Sequence, residues 1–267
     1  MSILPTLASE HGAKMDAIMV LAHVLMGVVL LGWFIYFFYV LWRFRKARNP
    51  QANYGGARSH ASHVVEIMVF SAEVTLLGFF SIPFLLGRVS ALQAAEENAV
   101  KVRIVAQQFQ WNVHYPGADG QFGGARVDLI DDVSNPLGLD PEDPLGRDDI
   151  FKRGELVVEK GRPVLINLSA KDVIHSLALT EFRVKQDAIP GMSIPVSFTP
   201  TMSTAEFRAL KGQPERNFEI ACAQLCGQGH YNMRGTVRVL EPAEFAEWLA
   251  ENAPKPGEEE EYDPLFN

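Results

Sequence analysis

Four side chains with metal-binding atoms fall within one twelve-residue stretch, Cys222-Ala-Gln-Leu-Cys226-Gly-Gln-Gly-His230-Tyr-Asn-Met233. Thiolate and thioether are soft donors and imidazole suits copper, so this set selects copper over hard cations. Binding that ties the loop to a scaffold needs one more ligand from elsewhere. His175, in Ala-Lys-Asp-Val-Ile-His-Ser, is the candidate; the other histidines outside the apolar runs and their connecting loop are His114 and His11. A plain disulfide between the only two cysteines would leave His230 and Met233 unexplained. Zinc calls for Cys/His ligation without Met, and covalent haem is excluded because no C-x-x-C-H occurs. A one-copper site needs a single cysteine. The second argues for two metals bridged by sulfur.

Such a loop must be held between stiff elements. Arg-Asn-Phe-Glu-Ile-Ala precedes it and Gly-Thr-Val-Arg-Val-Leu follows, both readable as strands, with Gly227 and Gly229 supplying backbone freedom at the tip. From Val100 onward, VRIVAQQFQWNVHY, ELVVEKGRPVLINLSA, PVSFTPTMSTAEFRAL, RNFEIACA and GTVRVLE predict the strands of an all-β sandwich over residues 95–251. Alternation is clear in VLINLSA. A short helix is expected at PAEFAEWLAE, with Pro242 in its first turn. Residues 117–153 form an Asp-rich insertion, open to reading as a docking surface for a basic redox partner, a weak calcium site or a solvated loop. Its aspartate spacing does not match an EF-hand. The tail, 252–267, is acidic and poor in apolar residues, which predicts disorder.

The first ninety residues are of another kind. Asp16 to Trp42 is apolar throughout, and as a helix it would measure roughly 40 Å against the ~30 Å of a bilayer core. A second apolar run at 64–88 carries Glu66 and Glu73, and carboxylates in a span usually face protein or water. The 43–63 loop between the runs holds Arg43, Arg45, Lys46, Arg48 and Arg58 and no acid, which places it in the cytoplasm and puts residues 1–15 and everything after Arg88 outside. His23, alone on an apolar helix, is given no role. Net charge is −8, and the basic residues of that loop are no footprint for nucleic acid; a positively charged protein partner fits better.

Together these residues resemble one family, subunit II of haem–copper cytochrome c oxidases, with its binuclear CuA centre in a cupredoxin-like domain. The resemblance rests on C-x₃-C-x₃-H-x₂-M, on Asp172-Val-Ile-His175-Ser and on the two-helix anchor, and covers nearly the whole chain. It implies a two-helix transmembrane hairpin followed by an all-β cupredoxin-like sandwich. It also implies two coppers bridged by Cys222 and Cys226, capped by His175 and His230, with Met233 and the Gln224 carbonyl as weak outer ligands. Lys185-Gln-Asp187-Ala-Ile-Pro-Gly191 resembles a stretch near the catalytic subunit, where the Asp lies close to magnesium. Glu66 resembles an acid at a proton-uptake entrance.

Three departures mark a divergent bacterial branch. Gln224 replaces the usual Glu, which keeps the carbonyl contact to copper but removes a carboxylate from magnesium and leaves that metal in doubt. Phe109 stands where the tryptophan that receives electrons is expected, and Trp111 reads equally as a relay or as plain core. Glu66-Ile-Met-Val-Phe70 departs from E-I-x-W-T. The implied function is that of an electron carrier within a proton-translocating terminal oxidase. It would take electrons from a cytochrome donor and pass them to the haem–copper catalytic subunit I, beside other oxidase subunits and lipid in a bacterial inner membrane, with the C-terminal domain periplasmic. Quinol-oxidase subunits II lack the metal ligands. The alternative is a membrane-anchored copper chaperone, expected on a thioredoxin-like scaffold with long external helices.

Overall fold

A computed structural model of the chain describes residues 4–51, 54–55, 60–96 and 98–254. Two compact units divide it, residues 13–90 and a second unit made of residues 1–12 with 91–267.

The first unit is helical. α1 spans Gly12–Arg43, and a second continuous helix consists of α2 (Ala61–Leu76), a π-helical turn (Leu77–Ser81) and α3 (Ile82–Ala95). Both helices are long and apolar enough to cross a membrane, and none of their apolar windows is buried. Phe34, Phe37, Phe38, Ile67, Phe70 and Phe79 all lie exposed. An unbroken apolar surface of that extent is stable against lipid rather than water. Both helices run past the predicted spans of 16–42 and 64–88, because unbroken backbone hydrogen bonding carries a helix beyond its apolar run. His23 makes an ordinary intrahelical contact, its Nδ1 lying 2.7 Å from the Met19 carbonyl.

The second unit is a sandwich of two five-stranded sheets, counted among the described residues. One has the order β3 (Ile150–Arg153), β2 (Gln110–Tyr115), β1 (Val100–Gln107), β5 (Val164–Ala170), β8 (Ile194–Phe198). The other runs β4 (Glu155–Glu159), β10 (Arg234–Leu240), β9 (Phe218–Cys222), β6 (His175–Leu179), β7 (Val184–Ala188). Val102, Ile104, Ile166 and Leu168 from the first sheet meet Leu177, Phe218, Ile220 and Val237 from the second in one core. The alternation expected of VLINLSA holds from Ile166 on; Leu165 is buried too, in a small cluster with Ala99 and Leu92.

VRIVAQQFQWNVHY forms strands as expected, two of them in a tight hairpin turning at Gln108–Phe109. Other readings need correction. Only the first part of PVSFTPTMSTAEFRAL is extended; Thr204–Lys211 is helix α4. Ser203 and Glu206 form a capping box there, satisfying backbone donors that a strand would leave for a neighbour. The insertion is shorter than 117–153, since its last four residues are β3, paired antiparallel with β2. At its base Asp149 accepts from the Gly117 and Gly123 amides and lies 2.6 Å from the buried His114 ring. Helix α5 (Pro242–Asn252) forms as expected, with proline in its first turn. The acidic tail from 255 and Arg58 lie outside the described residues.

Residues ahead of α1 join the sandwich. Ala8 is wholly buried, its amide donates to the Glu181 carbonyl, and Ser9 Oγ donates to the Phe182 carbonyl at 2.7 Å.

Candidate metal centre

Strand register brings the ligand candidates together. β9 ends at Cys222 and its antiparallel neighbour β10 begins at Arg234, so residues 223–233 connect adjacent strands. β6 pairs on the other side of β9 with Leu177 opposite Cys222, which sets His175 at the mouth of that loop. Two backbone bonds close the arrangement, Cys222 N to the Met233 carbonyl and Ala223 N to the Ser176 carbonyl. A 3₁₀ turn at His230–Asn232 then swings His230 and Met233 back toward the sulfurs.

The result is a compact group of soft and imidazole donors. Both cysteines are free thiols, with their Sγ atoms 3.8 Å apart. His175 Nδ1 lies 3.9 Å from Cys222 Sγ, and His230 Nδ1 lies 3.6 Å from Cys226 Sγ. Met233 Sδ is 3.8 Å from Cys226 Sγ, and the Gln224 carbonyl is 3.2 Å from Cys222 Sγ. The residues fit a soft metal. Two ligands about 2.3 Å from one ion at a tetrahedral angle lie about 3.8 Å apart, and a sulfur–nitrogen pair about 3.6 Å. Among the described residues, His175, Cys222 and Cys226 form the one cluster of metal-ligating side chains. Cys222 is partly exposed and Cys226 buried; burial and the neighbouring Cys222 thiol push Cys226 up to about 11. A metal binding there must therefore displace a proton.

Two supporting residues had little signal in the sequence. Asp172 Oδ1 lies 2.8 Å from His175 Nε2. Burial opposes ionisation of Asp172, but its bonds with His175, the Gln108 amide and the Val173 amide outweigh it and hold the carboxyl below its ordinary range. A carboxylate on one ring nitrogen presents the other, Nδ1, as an acceptor toward Cys222. The aspartate three residues before the histidine was the available clue. Gln108, whose side-chain amide donates to the Cys226 carbonyl at 2.6 Å, is distant in sequence and offered none.

The remaining candidates are placed as follows. Phe109 is 40% exposed, its ring against the loop glycines 227 and 229. Trp111 is fully buried and meets the His175 ring edge-on at 6.3 Å. Asp187 and Gln224 have exposed side chains, Asp187 on β7 opposite Ser176. Glu66 lies in α2, exposed and 3.6 Å from His63 Nδ1.

Residues 149–240, which include every one of the clustered ligand candidates, match the family model for the periplasmic domain of cytochrome c oxidase subunit II. Over these residues the chain is similar to the cytochrome c oxidase subunit II family. The chain is 36% identical to the alternative cytochrome c oxidase subunit 2 of Bradyrhizobium diazoefficiens over 57% of its own length and 50% of that protein's. It is 28% identical to cytochrome c oxidase subunit 2 of Cereibacter sphaeroides over 79% of its length and 67% of the relative's. It thus spans half the length of the first of these curated relatives. Among solved structures, the periplasmic domain of subunit II of cytochrome oxidase from Bradyrhizobium japonicum aligns at 26% identity with a TM-score of 0.40. That alignment covers 59% of this chain and 96% of the other. A region matching that periplasmic-domain model, in a chain with two helices long and apolar enough to cross a membrane, fits a membrane-anchored protein.

Proposed function

We propose that this chain is the electron-accepting copper subunit of a terminal cytochrome c oxidase. It would take electrons from a cytochrome at a binuclear copper centre and deliver them to the haem–copper catalytic subunit, where oxygen reduction is coupled to proton translocation. The observation that carries the reading is a pair of free thiols 3.8 Å apart, each facing a different imidazole nitrogen. That arrangement suits two metal ions sharing both sulfurs. Cys222 and Cys226 would bridge, His175 and His230 would cap, and Met233 and the Gln224 carbonyl would lie at the outer positions. Bound copper would supply one-electron redox chemistry.

The protein's own part is to hold the donors still. Strands β6 and β9 fix His175 beside Cys222, and the buried surroundings of Cys226 and Met233 exclude water, so little need rearrange when charge changes. Phe109, an exposed aromatic packed against loop glycines 227 and 229, is assigned as the point where electrons arrive; Trp111 packs behind His175 as core. Gln224 supplies no carboxylate to a magnesium ion near Asp187. Glu66 is assigned to the proton-uptake side of the membrane.

Connectivity supports a hairpin anchor with both ends on one face of the membrane: residues 4–12 pack on the same domain that follows α3, as two crossings would require. The basic loop then lies in the cytoplasm, and the sandwich is periplasmic in a bacterial inner membrane.

Metal analysis and paramagnetic resonance of the purified chain test the reading. Two tightly held coppers and one unpaired electron shared equally between two nuclei are expected. One readily exchanged Cu(I) per chain would favour a copper chaperone instead.

A further inference from the structure

We propose that Gln108 is a positioning residue that shapes the Cys226 arm of the metal loop before any metal arrives; the inference rests on the copper reading above. Gln108 sits at the tip of the β1–β2 hairpin, in the sheet opposite to the one that carries Cys222, His175 and the loop. It is nevertheless bonded to both halves of the site. Its backbone N–H donates to Asp172 Oδ2 at 2.6 Å, and the other oxygen of that carboxylate holds His175. Its side-chain amide donates to the Cys226 carbonyl at 2.6 Å. One residue therefore links the carboxylate that orients the first imidazole to the backbone of the second sulfur.

The loop has little else to hold it there. Among the described residues, the backbone bonds of 224–232 run within the loop itself, as from His230 N to Gly227 O and from Asn232 N to Gly229 O. Its anchors to the rest of the sandwich lie at its two ends, at Cys222, Ala223 and Met233. The loop is also cut to receive the hairpin tip. A β-carbon on Gly229 would fall on the Phe109 ring, and one on Gly227 would come within 2.8 Å of Gln108 Nε2 and 3.0 Å of Phe109 Cζ. Gly227 has φ +136°, a backbone state that side chains disfavour. The ring and the amide thus occupy space that two glycines leave open, and the amide adds the directional contact that the ring cannot.

The chemistry requires a donor of this length. Glutamate has nearly the same shape but, once ionised, offers only acceptors to a carbonyl. Methionine keeps the length and removes both functions. Because Gln108 is largely exposed, neither change opens a cavity in the core.

The test uses the full chain in detergent with Gln108→Glu and Gln108→Met. In the copper-free protein, amide hydrogen exchange at residues 224–230 is expected to speed by about tenfold, while the global unfolding midpoint stays that of the parent. On copper addition, affinity is expected to fall by about 10- to 100-fold, the usual effect of losing an outer partner of a metal ligand, and the copper hyperfine pattern to become unequal between nuclei. Parental loop exchange in both variants overturns the proposal, as does a parental affinity and spectrum. If the parent chain itself takes up no copper, the copper reading falls, and loop exchange in the metal-free proteins still decides the role of Gln108.

Discussion

Cys226 Sγ lies within 3.8 Å of donor atoms of Cys222, His230 and Met233. Replacing its sulfur with the oxygen of serine keeps the volume and removes the proposed bridge. Cys226→Ser is expected to abolish the shared-electron resonance while leaving the domain's circular dichroism unchanged; a surviving two-nucleus spectrum would refute the ligand assignment. Met233 is wholly buried, so Met233→Leu conserves volume and should cost less than about 1.5 kcal/mol of stability. Its expected signature is a shift in reduction potential with the two-copper count intact. Away from the metal, burial lowers the pKa of His114 despite the adjacent Asp149 carboxylate. Folding then favours the neutral ring, so the unfolded chain binds more protons at acid pH. The stabilisation is complete above about pH 6.5, the ordinary histidine value, and is lost as pH falls toward the lowered folded value. Denaturation midpoints measured from pH 8 to 5 should fall below that point in the parent and stay flatter in His114→Gln.

At the scale of elements, two short segments hold more than their length suggests. α4 has only eight residues, too few to persist alone, and depends on its capping box and on buried Phe207, stacked 4.2 Å from Phe218. Ser203→Ala is expected to cost about 1 kcal/mol by chemical denaturation. Lys160 bridges Glu206 of this helix to Glu241 ahead of α5, fastening both helices to the β4 edge. These pairs are largely exposed and add little. The segment ahead of α1 acts like an extra edge piece, with Thr201 N donating to the Ala8 carbonyl. Deleting residues 4–11 should uncover Phe182 and Phe198 and lower the outer domain's unfolding midpoint. An unchanged midpoint would show that the segment only rests on the sandwich.

For the whole molecule, the decisive property is sidedness. An epitope tag inserted after Gln51 should be reached by antibody only in permeabilised cells, and one inserted after Gly120, in the outer sandwich, in spheroplasts without permeabilisation. The opposite pattern would put the metal loop on the cytoplasmic side, where no periplasmic donor could reach it. The Phe109 end of the domain also exposes Leu225 and Tyr231. Apolar groups of that size on a water-facing surface suit burial against another protein.

The amino-acid sequence alone determined what depends on local order and on residue type. The spacing of Cys222, Cys226, His230 and Met233 carries the metal preference because one short loop supplies them all. The two apolar helices are legible because a bilayer demands a run of a certain length whatever else surrounds it. The strands are legible where side chains alternate, as in Ile166 to Ala170. Tertiary structure decided what depends on contact between distant segments. It assigned Thr204–Lys211 to a helix, made β3 from the end of the Asp-rich insertion and buried His114 on Asp149. It also brought Gln108 to Cys226 across 118 positions of chain. A hydrogen bond between segments so far apart leaves no periodicity in either one. Only the stacking of two sheets, driven by burial of their facing side chains, sets the hairpin tip over the loop.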